Sequence, residues 1–190
     1  MNAYSLMEAV LTRPETIEQY ALHDDWRVRY AAAVAIGRSQ DRRWLSLLKR
    51  MLALEDSRPL YTQPAAQFVN STDDTRMAEQ IGPIAVVFDQ AYDEFHQEAW
   101  RCRGRVRQAL LFALYELGAA DEELEARLQR FLLDPGEDYP VKAAAARALG
   151  AVGGAASLPA LEAARQFDEW CTQTEAGKAM QRIRAGDRGE

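Results

Sequence analysis

Three segments of the sequence repeat one short pattern, and this repeat constrains the fold more than any other feature. The segments are VRYAAAVAIG from Val28, VRQALLFALY from Val106 and VKAAAARALG from Val141. Each segment begins with valine and a basic residue, and then places apolar residues three, four, seven and eight positions after the valine. This spacing puts the apolar residues on one face of an amphipathic helix. Most of them are small, so we expect a neighbouring helix to approach closely.

A second apolar helical pattern follows each repeated segment after a short polar break. Two of these patterns share the same offsets, and their residues are Trp44, Leu48, Met51 and Leu52, and Leu124, Leu128, Phe131 and Leu132. The third unit continues with SLPALEAARQF, in which Ser157 is a predicted N-cap and Pro159 lies in the first turn. The predicted repeating unit is therefore a helix, a turn and a second helix.

Arginines occupy every second position from Arg101 to Arg107. On a strand they would line one face, but on a helix successive residues turn by about 100°, so the four side chains separate onto two ridges. Arg107 follows its repeat valine as Arg29 and Lys142 follow theirs. We therefore predict that the basic residue at this position bonds acidic groups or carbonyls at the turns between repeats.

The chain resembles HEAT-like repeat proteins of the short alanine-rich type that also occurs in bilin lyase subunits. The resemblance rests on ALHDDWRVRYAAAVAIG and on LLDPGEDYPVKAAAARALGAVGGAASLPALEAA. It implies an all-α fold, an α-α superhelix or HEAT/armadillo-like solenoid, of about four helical pairs. Such arrays serve many unrelated partners, so the resemblance is specific for the fold and says little about function.

The repeats are interrupted once, and we predict a single domain over residues 1–184 with a polar tail at 185–190. The valines at 106 and 141 lie 35 residues apart, which is a normal period, whereas those at 28 and 106 lie 78 apart, or about two periods. Residues 55–99 contain no repeat signature, and both an inserted loop and a degenerate repeat fit this spacing. Near the end, TEAGKAMQRI predicts a helix that caps the array through Ala176, Ala179 and Ile183.

The composition places the chain among globular proteins and disfavours several functions. Charged residues make up 27% of the sequence and hydrophobic residues 48%. No apolar run is long enough to span a bilayer. The start, MNAYSLMEAV, lacks the basic and apolar regions of a secretory signal, which predicts a cytoplasmic location. The net charge of -6 disfavours general nucleic-acid binding, although the block from His23 to Leu54 has seven basic and three acidic residues.

Familiar catalytic and metal-binding motifs do not occur in the sequence. It contains no GxGxxG, Walker, HExxH or CxxC motif. Cys102 and Cys171 have no metal-ligand spacing. The iron-binding HEAT hydroxylases require His followed by Glu in several repeats, whereas Asp24 follows His23 and Gln97 follows His96. We therefore expect no catalytic residue, no cofactor and no metal, and the sequence favours a non-enzymatic protein.

The predicted partner-binding site lies on the second helices, which usually line the concave face in the proteins that this chain resembles. Arg50 and Arg130 share one repeat position, and Arg165 is expected near them on the third unit. Further candidates are Arg101, Arg103 and Arg105. The alternative is that all of these arginines are solvated surface charges. The irregular segment is a second candidate for specificity, with aromatic side chains at Tyr61, Phe68 and Tyr92.

Three functional hypotheses follow from these features. The leading one is a scaffold or adaptor that binds another protein or a peptide, for which an acidic partner would suit the arginines. The second, from the resemblance alone, is a bilin lyase-like or chaperone subunit acting on a tetrapyrrole-bearing protein. The third is a helical-repeat DNA-binding or glycosylase-like protein, which the acidic composition disfavours. The sequence leaves the oligomeric state open.

Overall fold

Helices form the regular structure of the residues that the computed structural model describes, which are 3–57 and 104–186. Within these two ranges there is no β-strand. The α-helices are α1 (Ala3–Thr12), α2 (Ile17–Tyr20), α3 (Trp26–Ser39), α4 (Leu45–Ser57), α5 (Arg105–Leu117), α6 (Glu122–Leu133), α7 (Tyr139–Val152), α8 (Leu158–Ala164) and α9 (Trp170–Gly186). Single 3-10 turns precede α2, α4 and α8. The all-α prediction is confirmed.

The helices are arranged in two layers, which we call first helices and second helices. Along the sequence the complete units are α3 with α4, α5 with α6, and α7 with α8, preceded by α1 and the short α2. Each of α2, α4, α6 and α8 packs on the first-layer helix that follows it in the chain. The first helices α1, α3, α5 and α7 pack side by side in that order, and α9 closes this layer by packing on α7. In the second layer α6 packs on α8. This is the α-α superhelix of about four helical pairs that the repeat predicted.

The core lies between the two layers and consists of the predicted apolar faces. In each repeated segment the valine and the four apolar residues that follow it are at most 8% exposed. The second helices contribute Leu48, Met51, Leu52, Leu124, Leu128, Phe131 and Leu132, which are at most 3% exposed. Burying one large apolar side chain contributes about 1.5–3 kcal/mol, so this shared face supplies the main stabilisation of the array.

Close approach of neighbouring first helices depends on a glycine that recurs nine residues after the repeat valine. A Cβ atom built on Gly37 would lie 3.2 Å from the Cα of Ala113 in α5. One built on Gly150 would lie 2.7 Å from the Cα of Ala179 in α9, which is closer than real Cβ contacts come. The middle unit has Tyr115 at this position instead. The α5–α7 junction therefore has an aromatic ring where the other units have no side chain.

Helix ends in the array follow from local sequence. The carboxylate of Asp25 accepts a hydrogen bond from the backbone N–H of Arg27 at 2.9 Å, which caps α3. Asp121 accepts one from the N–H of Leu124 at 3.1 Å and caps α6 in the same way. Helix α5 ends at Leu117, and Gly118 follows it with a φ of 55°, the left-handed conformation that favours glycine.

The predicted N-cap Ser157 occupies the expected position before α8 but does not cap the helix with its side chain. Its hydroxyl instead donates to Glu125 Oε1 at 2.5 Å and accepts from Gln129 Nε2 at 3.1 Å. Both partners lie on α6. The side chain thus joins two neighbouring second helices, which a local capping rule does not anticipate.

The first two complete units adjoin each other in space although their valines lie two periods apart in sequence. Helix α3 packs directly on α5, and Arg42 Nη2 donates to the carbonyl oxygen of Gly118 at 3.1 Å.

The ends of two helices differ from the predicted segment limits. Helix α4 continues through Ser57, so Glu55 and Asp56, which the sequence assigned to the irregular segment, belong to the last turn of a helix. Helix α9 continues to Gly186, two residues past the predicted end of the domain. Within the described ranges, none of the helices combines the length and the apolar character that crossing a membrane requires.

Candidate functional site

The basic residue after the first repeat valine is buried and fully engaged inside the array. Arg29 is 1% exposed, and its Nε donates to Glu55 Oε1 at 2.6 Å. Its Nη1 donates to the carbonyl oxygens of His23 and Asp24, each at 2.7 Å. A buried ion pair is tolerated when additional hydrogen bonds satisfy the charged groups, and the two carbonyl oxygens do this for the Arg29 guanidinium. Arg29 therefore ties the start of α3 to the end of α4.

The two equivalent basic residues make similar contacts with other carboxylates. Arg107 is buried, pairs with Glu137, and lies 3.3 Å from Asp56 Oδ1. Lys142 is buried and lies 3.3 Å from Glu169 Oε1. The predicted ladder of basic residues at the inter-repeat turns is confirmed. Its carboxylates come from the end of α4 and from the turns before α7 and α9, and these cations are not available to a partner.

A different set of arginines lies on the second helices, and we call it the second-helix surface, defined by exposed Arg50 and Arg130 and half-buried Arg127. Arg50 is exposed, and none of the described residues forms an ion pair with it. Arg130 is 59% exposed and lies 2.8 Å from Asp56 Oδ2. Arg127 lies 3.7 Å from the same oxygen, and Arg107 approaches the other one. One carboxylate, that of Asp56, therefore lies among three guanidinium groups.

The remaining predicted site residues have different surroundings. Arg165 follows the last residue of α8, is half exposed, and lies 3.7 Å from Glu162 of the same helix. Arg105 is only 9% exposed, so the prediction that it contacts a partner does not fit its burial. The predicted site residues that lie outside the described ranges are Arg101, Arg103, Tyr61, Phe68 and Tyr92.

A groove crosses the solvent-facing side of the first-helix layer, between α5, α7 and α9, and we call it the first-helix groove. Its lining includes Phe112, Pro140, Arg147, Trp170 and Cys171. Trp170 is 72% exposed and Phe112 is 37% exposed. A smaller hollow between α3 and α5 also has Phe112 in its lining. Exposed apolar side chains grouped beside a groove are typical of an interaction site.

The cation of this groove, Arg147, has aromatic neighbours but no carboxylate. Its guanidinium carbon lies 4.5 Å from the ring centre of Tyr115 and 5.6 Å from that of Phe112. Arg182 approaches Tyr115 from α9, at 5.6 Å. Within the described ranges no carboxylate is within ion-pair distance of Arg147, and its buried Nε has no hydrogen-bond partner. This guanidinium is therefore held in place with part of its bonding capacity unused.

Sequence reasoning missed the first-helix groove, although the repeat contained a signal for it. Val34, Phe112 and Arg147 all lie six residues after a repeat valine. This offset belongs to none of the core positions, so it predicts a side chain that faces solvent. An apolar residue at this offset in two of three units indicates an exposed apolar row.

The described residues present little else that resembles a reactive centre. Within them, no three His, Cys, Asp or Glu side chains converge in a way that could hold a metal ion. His23 accepts a hydrogen bond at Nδ1 from the backbone N–H of Asp25 at 3.0 Å, which engages it in the turn before α3. Cys171 is a free, half-buried thiol in the first-helix groove.

Two layers of helical hairpins, joined by one recurring buried basic residue, define an α-α repeat scaffold. Comparison with protein families gives the same class. Residues 97–181 match the model for HEAT repeats, and residues 28–53 match the model for the PBS lyase HEAT-like repeat. The chain is a HEAT-like repeat protein. Neither the curated proteins nor the solved structures gave a match to it.

Proposed function

We propose that this HEAT-like protein is a non-enzymatic scaffold or adaptor that binds another protein. Repeat arrays present long surfaces built from equivalent positions, and binding needs only shape and charge on those surfaces. The observation that carries the proposal is how the basic residues are divided. Those after the repeat valines are buried in ion pairs, whereas Arg50 and Arg130, at another repeat position, are exposed.

The second-helix surface suits a partner with acidic side chains. Asp56 is shared by several guanidinium groups, and Arg50 has no ion pair among the described residues. Carboxylates of a partner would therefore balance charge that the array leaves over. Exposed ion pairs contribute about 0.2–1 kcal/mol each, so their main effect would be on association rate and on the choice of partner. We include Arg165 in this proposal as the member contributed by the third unit.

The two other hypotheses have weaker support. A bilin lyase-like or chaperone role rests on the match of residues 28–53 to the PBS lyase HEAT-like repeat. The array's own stability already accounts for the matched core residues and for buried Arg29. A DNA-binding role relied on basic blocks, but Arg29, Arg105 and Arg107 are buried and cannot contact phosphates. These placements favour a protein partner over duplex DNA.

The test is affinity capture from the source cells with the wild-type protein and with the variant Arg50→Glu/Arg130→Glu/Arg165→Glu. We expect a protein that the wild type retains under mild conditions and that the variant loses, because three contacts are reversed in charge. Capture of no protein by the wild type would overturn the scaffold function. Retention by the variant would refute the second-helix surface as the site.

A charge-matched control separates a local effect from a change in net charge. The variant Arg13→Glu/Arg43→Glu/Arg184→Glu makes the same total change at exposed arginines outside the second-helix surface. It should retain the partner. The two competing functions are tested on the same samples: a shift in bilin absorbance on addition of bilin would favour the lyase-like role, and a salt-sensitive shift of duplex DNA would favour the nucleic-acid role.

A further inference from the structure

We infer that the first-helix groove is a second binding site, which takes a peptide segment of a partner protein that carries a carboxylate beside an apolar side chain. The inference rests on the proposed function only in that the partner is a protein, since the groove lies on the opposite layer from the second-helix surface. Two features support it independently: an arginine of the groove that has no carboxylate partner among residues 3–57 and 104–186, and exposed apolar side chains along the groove walls.

Arg147 contrasts with the basic residues after the repeat valines and with the lysine beside it in the groove. Arg29, Arg107 and Lys142 each have a carboxylate, and Lys178, which also lines the groove, pairs with Glu175 at 2.7 Å. Arg147 has none within the described ranges, and its buried Nε lacks a hydrogen-bond partner. A guanidinium without a counter-charge attracts an anion, so a groove ligand that accepts from its terminal Nη groups would supply the partner that Arg147 lacks among the described residues. The charge identifies the acceptor as an anion.

The geometry of Arg147 favours a planar carboxylate over other anions. The rings of Tyr115 and Phe112 lie against its guanidinium and limit its rotation. A guanidinium held in this way loses less conformational freedom on binding and can form two parallel hydrogen bonds with one carboxylate. Tyr115 occupies the position where the other two repeats have glycine, so this support for the guanidinium exists in the middle unit alone among the three repeated segments.

The apolar walls supply the second half of the recognition. Trp170 begins α9 and is 72% exposed, and Phe112 of α5 is 37% exposed. Large aromatic side chains that are exposed in the free protein are common energetic centres of interfaces. A segment with an apolar side chain between these two walls would place a neighbouring Asp or Glu near Arg147. The expected ligand is thus an acidic and apolar peptide, and a purely acidic one would leave the walls exposed.

The test is a selection from random linear peptides displayed on phage, with the full-length protein as the target. We expect enriched peptides that combine Asp or Glu with a large apolar residue. Chemical synthesis then gives each selected peptide and a version with Gln or Asn in place of its acids. Because hydrogen bonds between charged groups are the strong ones, the loss of the carboxylate should weaken binding by about tenfold or more.

Two substitutions in the groove and one outside it locate the site. Arg147→Met keeps a long side chain against the rings but removes the charge. It should weaken the binding of the selected peptide by the same factor of about tenfold. Trp170→Ser changes a residue that is mostly in solvent, so the fold should persist while the peptide is lost. Arg182→Met is the matched control: it also lies over Tyr115, but it does not line the groove, and it should bind as the wild type does.

Protection of Cys171 gives a readout that does not depend on mutation. This half-buried thiol lines the groove, so the bound peptide should slow its alkylation, as measured by mass spectrometry of the digested protein. The proposal is overturned if no peptide is enriched, if the enriched peptides lack acids, or if they bind Arg147→Met and Trp170→Ser as tightly as the wild type.

A second copy of this chain is the main competing occupant of the groove. A dimer in sedimentation that Trp170→Ser dissociates would overturn the peptide proposal in favour of self-association. Failure of the groove proposal can be told apart from failure of the proposed function. Partner capture is tested with the second-helix arginines, whereas the groove is tested with Arg147. A partner captured through the arginines while the display selection fails would refute only the groove.

Discussion

The close contact between α7 and α9 at Gly150 makes a quantitative prediction about the stability of the array. In a helix, alanine is more favourable than glycine by about 1 kcal/mol. At Gly150, however, the added Cβ atom would lie 2.7 Å from the Cα and 2.9 Å from the Cβ of Ala179. The atom it meets is backbone, so the two helices have to move apart. The same substitution at Gly177, in the middle of α9, meets no atom within 4 Å.

The two alanine variants should therefore differ in sign. Gly177→Ala gains helix propensity and should raise the free energy of unfolding by about 0.5–1 kcal/mol. Gly150→Ala gains the same amount but overpacks a helix contact, which typically costs about 1–3 kcal/mol. We expect the difference between the two variants to be about 1–3 kcal/mol. For a chain of this size each kcal/mol corresponds to roughly 2–4 °C in Tm.

Urea unfolding followed by circular dichroism, with thermal melts as a second probe, measures this difference. Gly37→Ala should fall between the two, since its Cβ atom would stand 3.2 Å from the Ala113 Cα and needs a smaller shift. If Gly150→Ala stabilises the protein as much as Gly177→Ala does, then α7 and α9 are not packed as closely as described. The idea that the repeat glycine sets helix spacing would then be wrong.

Three further predictions concern buried and capping groups. Arg29→Met should lower the free energy of unfolding by about 3–5 kcal/mol, because it removes a buried cation that pairs with the fully buried Glu55 carboxylate; a loss below about 1 kcal/mol in urea unfolding would contradict this role. Burial would raise the pKa of Asp25, but hydrogen bonds and charge from Arg27 outweigh it and hold that pKa below its usual value. The stability contributed by Asp25 should therefore be present above about pH 4 and be lost as the pH falls further, so the deficit of about 1 kcal/mol in Asp25→Ala should disappear in acid melts. Burial raises the pKa of Tyr30, so its contribution should be complete below about pH 10 and be lost as the pH rises through the folded pKa; Tyr30→Phe should lack this alkaline loss when the same melts are run at high pH.

The fold and the ladder could be predicted because both are written in local sequence. A valine followed by a basic residue and four apolar offsets fixes which side of a helix is buried, and the position of Arg107 relative to Arg29 and Lys142 fixes its role. The partners of these cations could not be predicted, because Glu55 lies 26 residues from Arg29 and in a stretch whose prolines and acids suggested a loop.

The candidate site depends more on contacts between residues that are distant in sequence. Arg105 has the charge expected of a surface residue, yet its place on α5 turns it into the array, and only the packing of neighbouring helices reveals this. Arg147 is notable because no carboxylate from α5 or α9 lies within ion-pair distance of it. No local sequence pattern predicts this. The exposure of Phe112 could have been predicted, since an apolar residue at a solvent-facing repeat offset indicates an exposed apolar side chain.

The measurement that tests this account most directly is the affinity of the captured partner, once purified, for the wild-type protein and for the variant with Glu at the three second-helix positions. Isothermal titration should give saturable binding to the wild type and binding weaker by about tenfold or more to the variant, since each reversed charge removes an attraction and adds a repulsion. Equal affinity for both proteins would contradict the account, because the exposed arginines would then take no part in recognition.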